Sequence, residues 1–329
     1  MKKISRKQNF HTASSRFCRQ FYLQNLRACR TAFFILPLVF AAFFTNCKTA
    51  ETNRTQSNVS VAAREITDDL GRRVKIPARI ERAVSLAPNL TEIIFAVGAG
   101  DRLVGRTSYD NFPPEAQKIE TVGDTINPNI ENIIALKPQI VLVSTASQIE
   151  TFTRQLEAQN ISVFVTNPNS LEDIYKSIDK IGDIFGSNEQ ANRIVEDLKK
   201  RVGEIDAKTR GANPVKVFVQ ISKEPLFTVG KTSYLTELIE RAGGVSVTKD
   251  VATAYPKLSK ETALALNPDA IILSDSDDNR EPNDVYKTSP AIKNGRVFKV
   301  NADILSRPSP RIVDALEQIA KDLRPETFQ

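Results

Sequence analysis

Glu131-Asn-Ile-Ile-Ala-Leu-Lys-Pro-Gln-Ile-Val-Leu-Val-Ser144 in one half of the chain returns in the other as Glu261-Thr-Ala-Leu-Ala-Leu-Asn-Pro-Asp-Ala-Ile-Ile-Leu-Ser274. Each copy reads as a short helix opening on an acid, a proline that stops it, and an apolar run suited to a buried strand. An upstream phrase is doubled too: Leu90-Thr-Glu-Ile-Ile94 ahead of Gly98, and Leu235-Thr-Glu-Leu-Ile239 ahead of Gly243. A looser third pair is Val163-Phe-Val-Thr-Asn167 and Val297-Phe-Lys-Val-Asn301. Three matches in the same order predict two lobes of one architecture with a cleft between them. Each lobe carries a glutamate, Glu131 or Glu261, at the same offset before its strand.

The 329 residues suffice for two lobes of ordinary domain size. The formal charge of +6 is misleading, because residues 1–46 contain eight Lys or Arg and no acid. With those eight taken from the total of 45, 37 basic residues face 39 acidic ones. A nucleic-acid partner is therefore not expected. The basic stretch leads into an apolar run, Ala32 to Phe44, too short for the roughly 20 residues a bilayer span needs and suited to an export signal. Cys18 and Cys29 fall within residues 1–46, the expected signal peptide, leaving Cys47 alone after it. Phe44-Thr-Asn-Cys47 resembles a bacterial lipobox, with Phe where Leu is usual and Asn where Gly or Ala is usual. Cys47 is thus the expected lipidation site; the alternative is ordinary cleavage with Cys47 lost or free. Residues 47–65 are expected as a lipidated, polar tether.

From Ile66 onward the pattern is that of an α/β protein. Ile66 to Ile76 reads as a hairpin turning at Gly71, and short apolar strands then alternate with helices across Pro, Gly and Asn loops. The expected architecture is two similar α/β lobes with parallel-type sheets, residues 66–186 and 211–329. They are joined by a helix over 187–210 whose apolar stripe is Ala191, Ile194, Val195, Leu198, Val202 and Ile205. That helix reads as a stiff spacer. Glu92 and Glu237, in mid-helix, read as solvated positions.

After residue 47 the chain has no histidine, cysteine or tryptophan. Ser–His–Asp and Cys–His nucleophile systems are excluded, as are histidine-based zinc or haem-iron sites. Gly98-Ala-Gly100 with Gly105 lacks the dinucleotide spacing. No cofactor, metal site or enzymatic activity is expected.

Three further phrases carry a family resemblance: Thr107 to Glu120 (Thr-Ser-Tyr-Asp-Asn-Phe-Pro-Pro-Glu-Ala-Gln-Lys-Ile-Glu), Pro225-Leu-Phe-Thr-Val-Gly-Lys231 and Arg307-Pro-Ser-Pro-Arg-Ile312. With the doubled lobes, the chain resembles the solute-binding proteins of ABC importers with a helical lobe connector, which take cobalamin, ferric siderophores or haem. The likeness covers Ile66 to Arg324 and is strongest to the cobalamin-binding members. It implies a monomer that delivers a macrocyclic or metal-complex ligand to an ABC permease dimer with its ATPase subunits, on a membrane reached through its lipid anchor. It implies permease docking by Glu131 and Glu261, and ligand contacts from Tyr109, Phe227, Tyr255, Asp303 and Arg307. Thr125 and Ser144 stand where cobalamin-binding members have tryptophans.

Each of these residues has a plainer reading. A glutamate in a helical first turn gains about 0.3–1 kcal/mol from the helix dipole alone. Tyr109 and Phe227 could anchor their loops, and Asp303 with Arg307 could form a surface ion pair. Cobalamin or a related corrinoid is the leading ligand. A ferric siderophore is the alternative, served by Lys223, Lys231, Lys257, Arg307 and Arg311 but offset by Asp110, Asp124, Glu224 and Asp303. A lipid-anchored surface protein that binds another protein is the competing class.

Overall fold

A computed structural model describes residues 63–145 and 149–328. The expected signal, Cys47 and the tether up to residue 62 lie outside the described residues. An antiparallel hairpin comes first, β1 (Ala63–Thr67) with β2 (Arg73–Pro77). It turns at Gly71, whose φ of +77° favours glycine. The strand begins inside the expected tether because Ala63, Arg64 and Glu65 pair with Pro77, Ile76 and Lys75.

The two halves then build the same sheet. The first contains β3 (Ala83–Ser85), β4 (Leu103–Gly105), β5 (Ile140–Ser144) and β6 (Ser162–Thr166), all parallel, in the order β4-β3-β5-β6. The second contains β7 (Val215–Gln220), β8 (Gly244–Ser246), β9 (Ala270–Asp275) and β10 (Val297–Asn301), also parallel, in the order β8-β7-β9-β10. Both orders place the second strand first, then the first, third and fourth. The doubled phrases fall on matching elements. Helix α1 (Pro88–Ala96) corresponds to α6 (Tyr234–Arg241), and α2 (Ile130–Ala135) to α7 (Lys260–Leu266). Gly98 and Gly243, just after α1 and α6, both take positive φ, +80° and +83°.

Helix α3 (Ile149–Glu157) precedes β6, and α4 (Leu171–Phe185) follows it. In the second lobe α8 (Pro290–Lys293) precedes β10, and α9 (Ala302–Leu305) and α10 (Ile312–Leu323) follow it. Between the lobes runs α5 (Asn188–Thr209), packed on α4, α6 and α10. Ala191, Val195, Leu198, Val202 and Ile205 on α5 are buried in one apolar core, which also holds Leu90, Ile178, Leu238, Ile272 and Leu316. The expected spacer is therefore a shared spine: its stripe is covered by helices of both lobes. A Cβ at Gly182 of α4 would collide with Ala191 of α5, so the close crossing requires glycine. The outer face of each sheet has its own cluster, around Val84, Val141 and Val165 in one lobe and Phe218, Ile271 and Tyr286 in the other. The inner faces of the two lobes thus share one continuous core.

Candidate functional site

Loops at the carboxyl ends of parallel strands are where open α/β sheets gather ligand groups. In the first lobe, the loop after β4 projects Tyr109, 60% exposed, and Phe112. Beneath them Asp110 is buried and accepts from the Thr107 backbone N–H, the Thr107 hydroxyl and the Thr91 hydroxyl of α1 (2.5 Å). Burial pushes the Asp110 carboxyl above its ordinary value, and the two hydroxyls pull it part of the way back. The loop is thereby tied to α1.

In the second lobe, the loops after β7 and β8 are stitched together. Thr228 N–H donates to Pro256 O, Gly230 N–H to Ala254 O and Leu258 N–H to Leu226 O. The strands approach so closely that a Cβ at Gly230 would overlap the Thr253 carbonyl and lie 2.7 Å from that of Val251. This stitching sets half-buried Phe227, bridged to Lys257, near Tyr255, which is 46% exposed. The Tyr255 phenol adjoins that of Tyr234, whose hydroxyl donates to Leu305 O (3.2 Å). Burial, and then Tyr255, push the Tyr234 phenol well above its ordinary value.

Arg307, just after α9, joins the second lobe to the loop after β4. Its Nη1 donates to Glu92 Oε1 (3.0 Å) and Asn111 Oδ1 (2.7 Å), and its Nη2 to Tyr109 O (3.2 Å) and Asp303 Oδ1 (2.7 Å). Arg307 is only 8% exposed. Asn111 also donates to Asp303 Oδ2 (2.7 Å). Arg311 binds the Glu92 carboxylate through Nε (3.0 Å) and Nη2, and lies 3.9 Å over the Phe112 ring. The structure thus brings Tyr109, Asp303 and Arg307 into one contact network, with Tyr255 linked through Tyr234 to Leu305 beside it. Phe227 belongs to the stitched loops.

Glu92 corrects the expectation of a solvated position: it is 4% exposed and accepts from Arg307, Ser309 and Arg311. A signal lay in the sequence, since Glu92 is the only charged residue between Ala83 and Gly100. A helix apolar on nearly every side is a buried helix. Glu237 is corrected as well, being bonded to the Leu171 N–H (2.9 Å) and to Arg241. Of the charges weighed for the ligand, Arg307, Arg311 and Asp303 are engaged among themselves or with Glu92, and Asp110 with Thr107 and Thr91. Asp124 is held below the ordinary carboxylate range by the Asn127 and Ile126 N–H groups of its own turn.

Glu131 and Glu261 lie away from this network, exposed, at the second position of α2 and α7. Asn129 caps one helix by accepting from Asn132 N–H (3.0 Å), and Ser259 the other by accepting from Thr262 N–H (3.1 Å). Hydrogen bonds from its own N–H and from Ser259 hold the Glu261 carboxyl below its ordinary value.

Residues 84–304 match the family described as periplasmic binding protein. The chain belongs to that family. An uncharacterized ABC transporter substrate-binding lipoprotein of Bacillus subtilis is 32% identical over 312 residues, covering 92% of this chain and 99% of that one. The crystal structure of the periplasmic vitamin B12 binding protein of Vibrio cholerae superposes with a TM-score of 0.66 at 27% identity, covering 77% of this chain and all of that one. A periplasmic heme binding protein of Pseudomonas aeruginosa superposes with a TM-score of 0.67 at 22% identity, over 75% of this chain and 93% of that one, and shares the fold. This periplasmic binding protein is of the ABC importer type. The family consists of solute-binding proteins rather than enzymes, and its members work with permease and ATPase components.

Proposed function

We propose that the chain captures cobalamin or a related corrinoid at the rim formed by Tyr109, Phe227, Tyr255 and Asp303, and delivers it unaltered to an ABC permease. The observation that carries this reading is the pairing of two large exposed rings, Tyr109 and Tyr255, with a charge network that is already compensated. Glu92 and Asp303 offset Arg307 and Arg311. What faces a ligand is then aromatic surface with little net charge, suited to a broad, near-neutral macrocycle. Arg307 holds the floor of this rim through Tyr109 O and Asp303.

Glu131 and Glu261 dock the permease in this reading. Their exposure and equivalent placement support it, and charge pairs of this kind set orientation and encounter rate. Export and a lipid anchor at Cys47 complete it, leaving a monomer tethered to a membrane at about 0.8 kcal/mol per buried CH₂ of acyl chain.

Ferric siderophore or haem-type complexes are the second reading, supported by the heme-binding fold neighbour and by Lys223, Lys231 and Lys257 on the second-lobe loops. Titration of the purified protein with cyanocobalamin, haem and a ferric siderophore, followed by tyrosine fluorescence, ranks the ligands. Saturation with cyanocobalamin at the lowest concentration is the expected result. A flat cobalamin trace beside a saturating iron complex reverses the order.

A further inference from the structure

The two lobes exchange glutamates. Glu92 on α1 of the first lobe reaches Ser309 Oγ (2.6 Å) and Arg311, at the entry to α10 of the second. Glu237 on α6 of the second lobe reaches Leu171 N–H (2.9 Å), the first residue of α4 in the first lobe. Helices α1 and α6 are equivalent, and α4 and α10 each follow the fourth strand of their sheet. The contacts are reciprocal, and both place a carboxylate at a helix N-terminus.

Their remaining bonds differ. The other partner of Glu237 is Arg241 one turn along its own helix (2.9 Å), and Arg241 continues to Asp206 on the spine (2.5 Å). Glu92 instead holds Arg307, whose other three bonds end on Tyr109 O, Asn111 and Asp303. The side chain of Glu92 is 2% exposed and that of Glu237 is 29% exposed. One member of the pair is thus connected to the proposed ligand rim and the other to α4 and the spine.

We infer that Glu92 is a positioning residue for ligand capture, acting through Arg307 to fix the Tyr109–Asn111 loop of one lobe against Asp303 of the other, while Glu237 is its structural counterpart without that task. The inference rests on the reading of that rim as the ligand site, so its test begins without ligand. Hydrogen–deuterium exchange of the full chain reports the amides of residues 107–112 directly. Glu92→Gln removes the charge that holds both arginines and is expected to speed exchange there about tenfold or more. Glu237→Gln is expected to leave that segment unchanged. Arg307→Lys, which keeps the charge but cannot span four acceptors, is expected to act like Glu92→Gln and serves if the latter does not fold. Unchanged exchange in Glu92→Gln or Arg307→Lys overturns the inference, and so does an equal rise in Glu237→Gln. A second arm measures cyanocobalamin and haem affinity, with a loss of about tenfold expected in Glu92→Gln and not in Glu237→Gln. If neither ligand binds the unmodified protein, the ligand reading fails, and the exchange result still decides the positioning role.

Discussion

Two pairs of glutamates are repeated between the lobes, and they have met different fates. Glu131 and Glu261 occupy the same position of equivalent capped helices, and both are exposed. Glu92 and Glu237 also occupy equivalent helices, yet one is buried against two arginines while the other stays partly solvated beside one. In the proposed function the first pair serves one external docking surface, which asks the same of both lobes. The second pair lies where the lobes meet, and there the duplicate halves have become unequal.

The largest effect expected from breaking this comparison is on docking. Glu131→Lys with Glu261→Lys should reduce stimulation of the permease's ATPase about a hundredfold, since like charges at an interface cost several kcal/mol. Folding stability should move by less than about 0.5 kcal/mol, because both side chains are exposed. The single reversals should each give similar intermediate losses. A loss confined to one lobe would show that the outer pair is unequal too.

The inner pair comes next. Glu92→Ala leaves Arg307 and Arg311 uncompensated and should cost about 3–5 kcal/mol in urea unfolding. Glu237→Ala should cost about 1–2 kcal/mol, since its carboxylate is partly exposed and loses one backbone and one side-chain partner. Equal costs would remove the distinction. The glycines ending α1 and α6 provide a control: Gly98→Ala and Gly243→Ala both force a side chain into positive φ and should each cost about 1–2 kcal/mol, Gly243→Ala the more because its Cβ would lie 3.3 Å from Arg324 Nε.

The smallest effect is a pH dependence within the Tyr109 loop. Burial raises the Asp110 carboxyl above its ordinary 3.8. A carboxyl raised by folding gives its full stability below the unfolded value and loses it as pH rises through the folded one. Stability of the unmodified protein should therefore fall relative to Asp110→Asn as pH climbs from 3.8 through that raised value, by comparison of urea midpoints. A loss of stability of the unmodified protein relative to Asp110→Asn on acidification would contradict the assignment.

Much of this was legible in the sequence. The repeated phrases identified α2–β5 and α7–β9, with an acid in the first turn of each helix. Period and prolines therefore gave the lobes and the outward glutamates. The stripe on α5 was legible as well, but not the fact that both lobes cover it, because periodicity shows which face is buried and not by what. The Arg307 network was hidden for a related reason. Glu92 and Arg307 are 215 residues apart, and the local spacing of Asp303 and Arg307 suggested only a pair within one lobe. Long-range charge pairing leaves no period in a chain.

In the proposed function two duplicated halves hold a broad ligand against exposed aromatic rings. Calorimetric titration with cyanocobalamin, of the unmodified protein and of Tyr109→Ala/Tyr255→Ala, tests it most directly. The account predicts one ligand per chain and a loss of about 2–4 kcal/mol in the double variant, in line with aromatic anchors at binding surfaces. Binding that survives removal of both rings at unchanged affinity, or no heat at all from the unmodified protein, would contradict it.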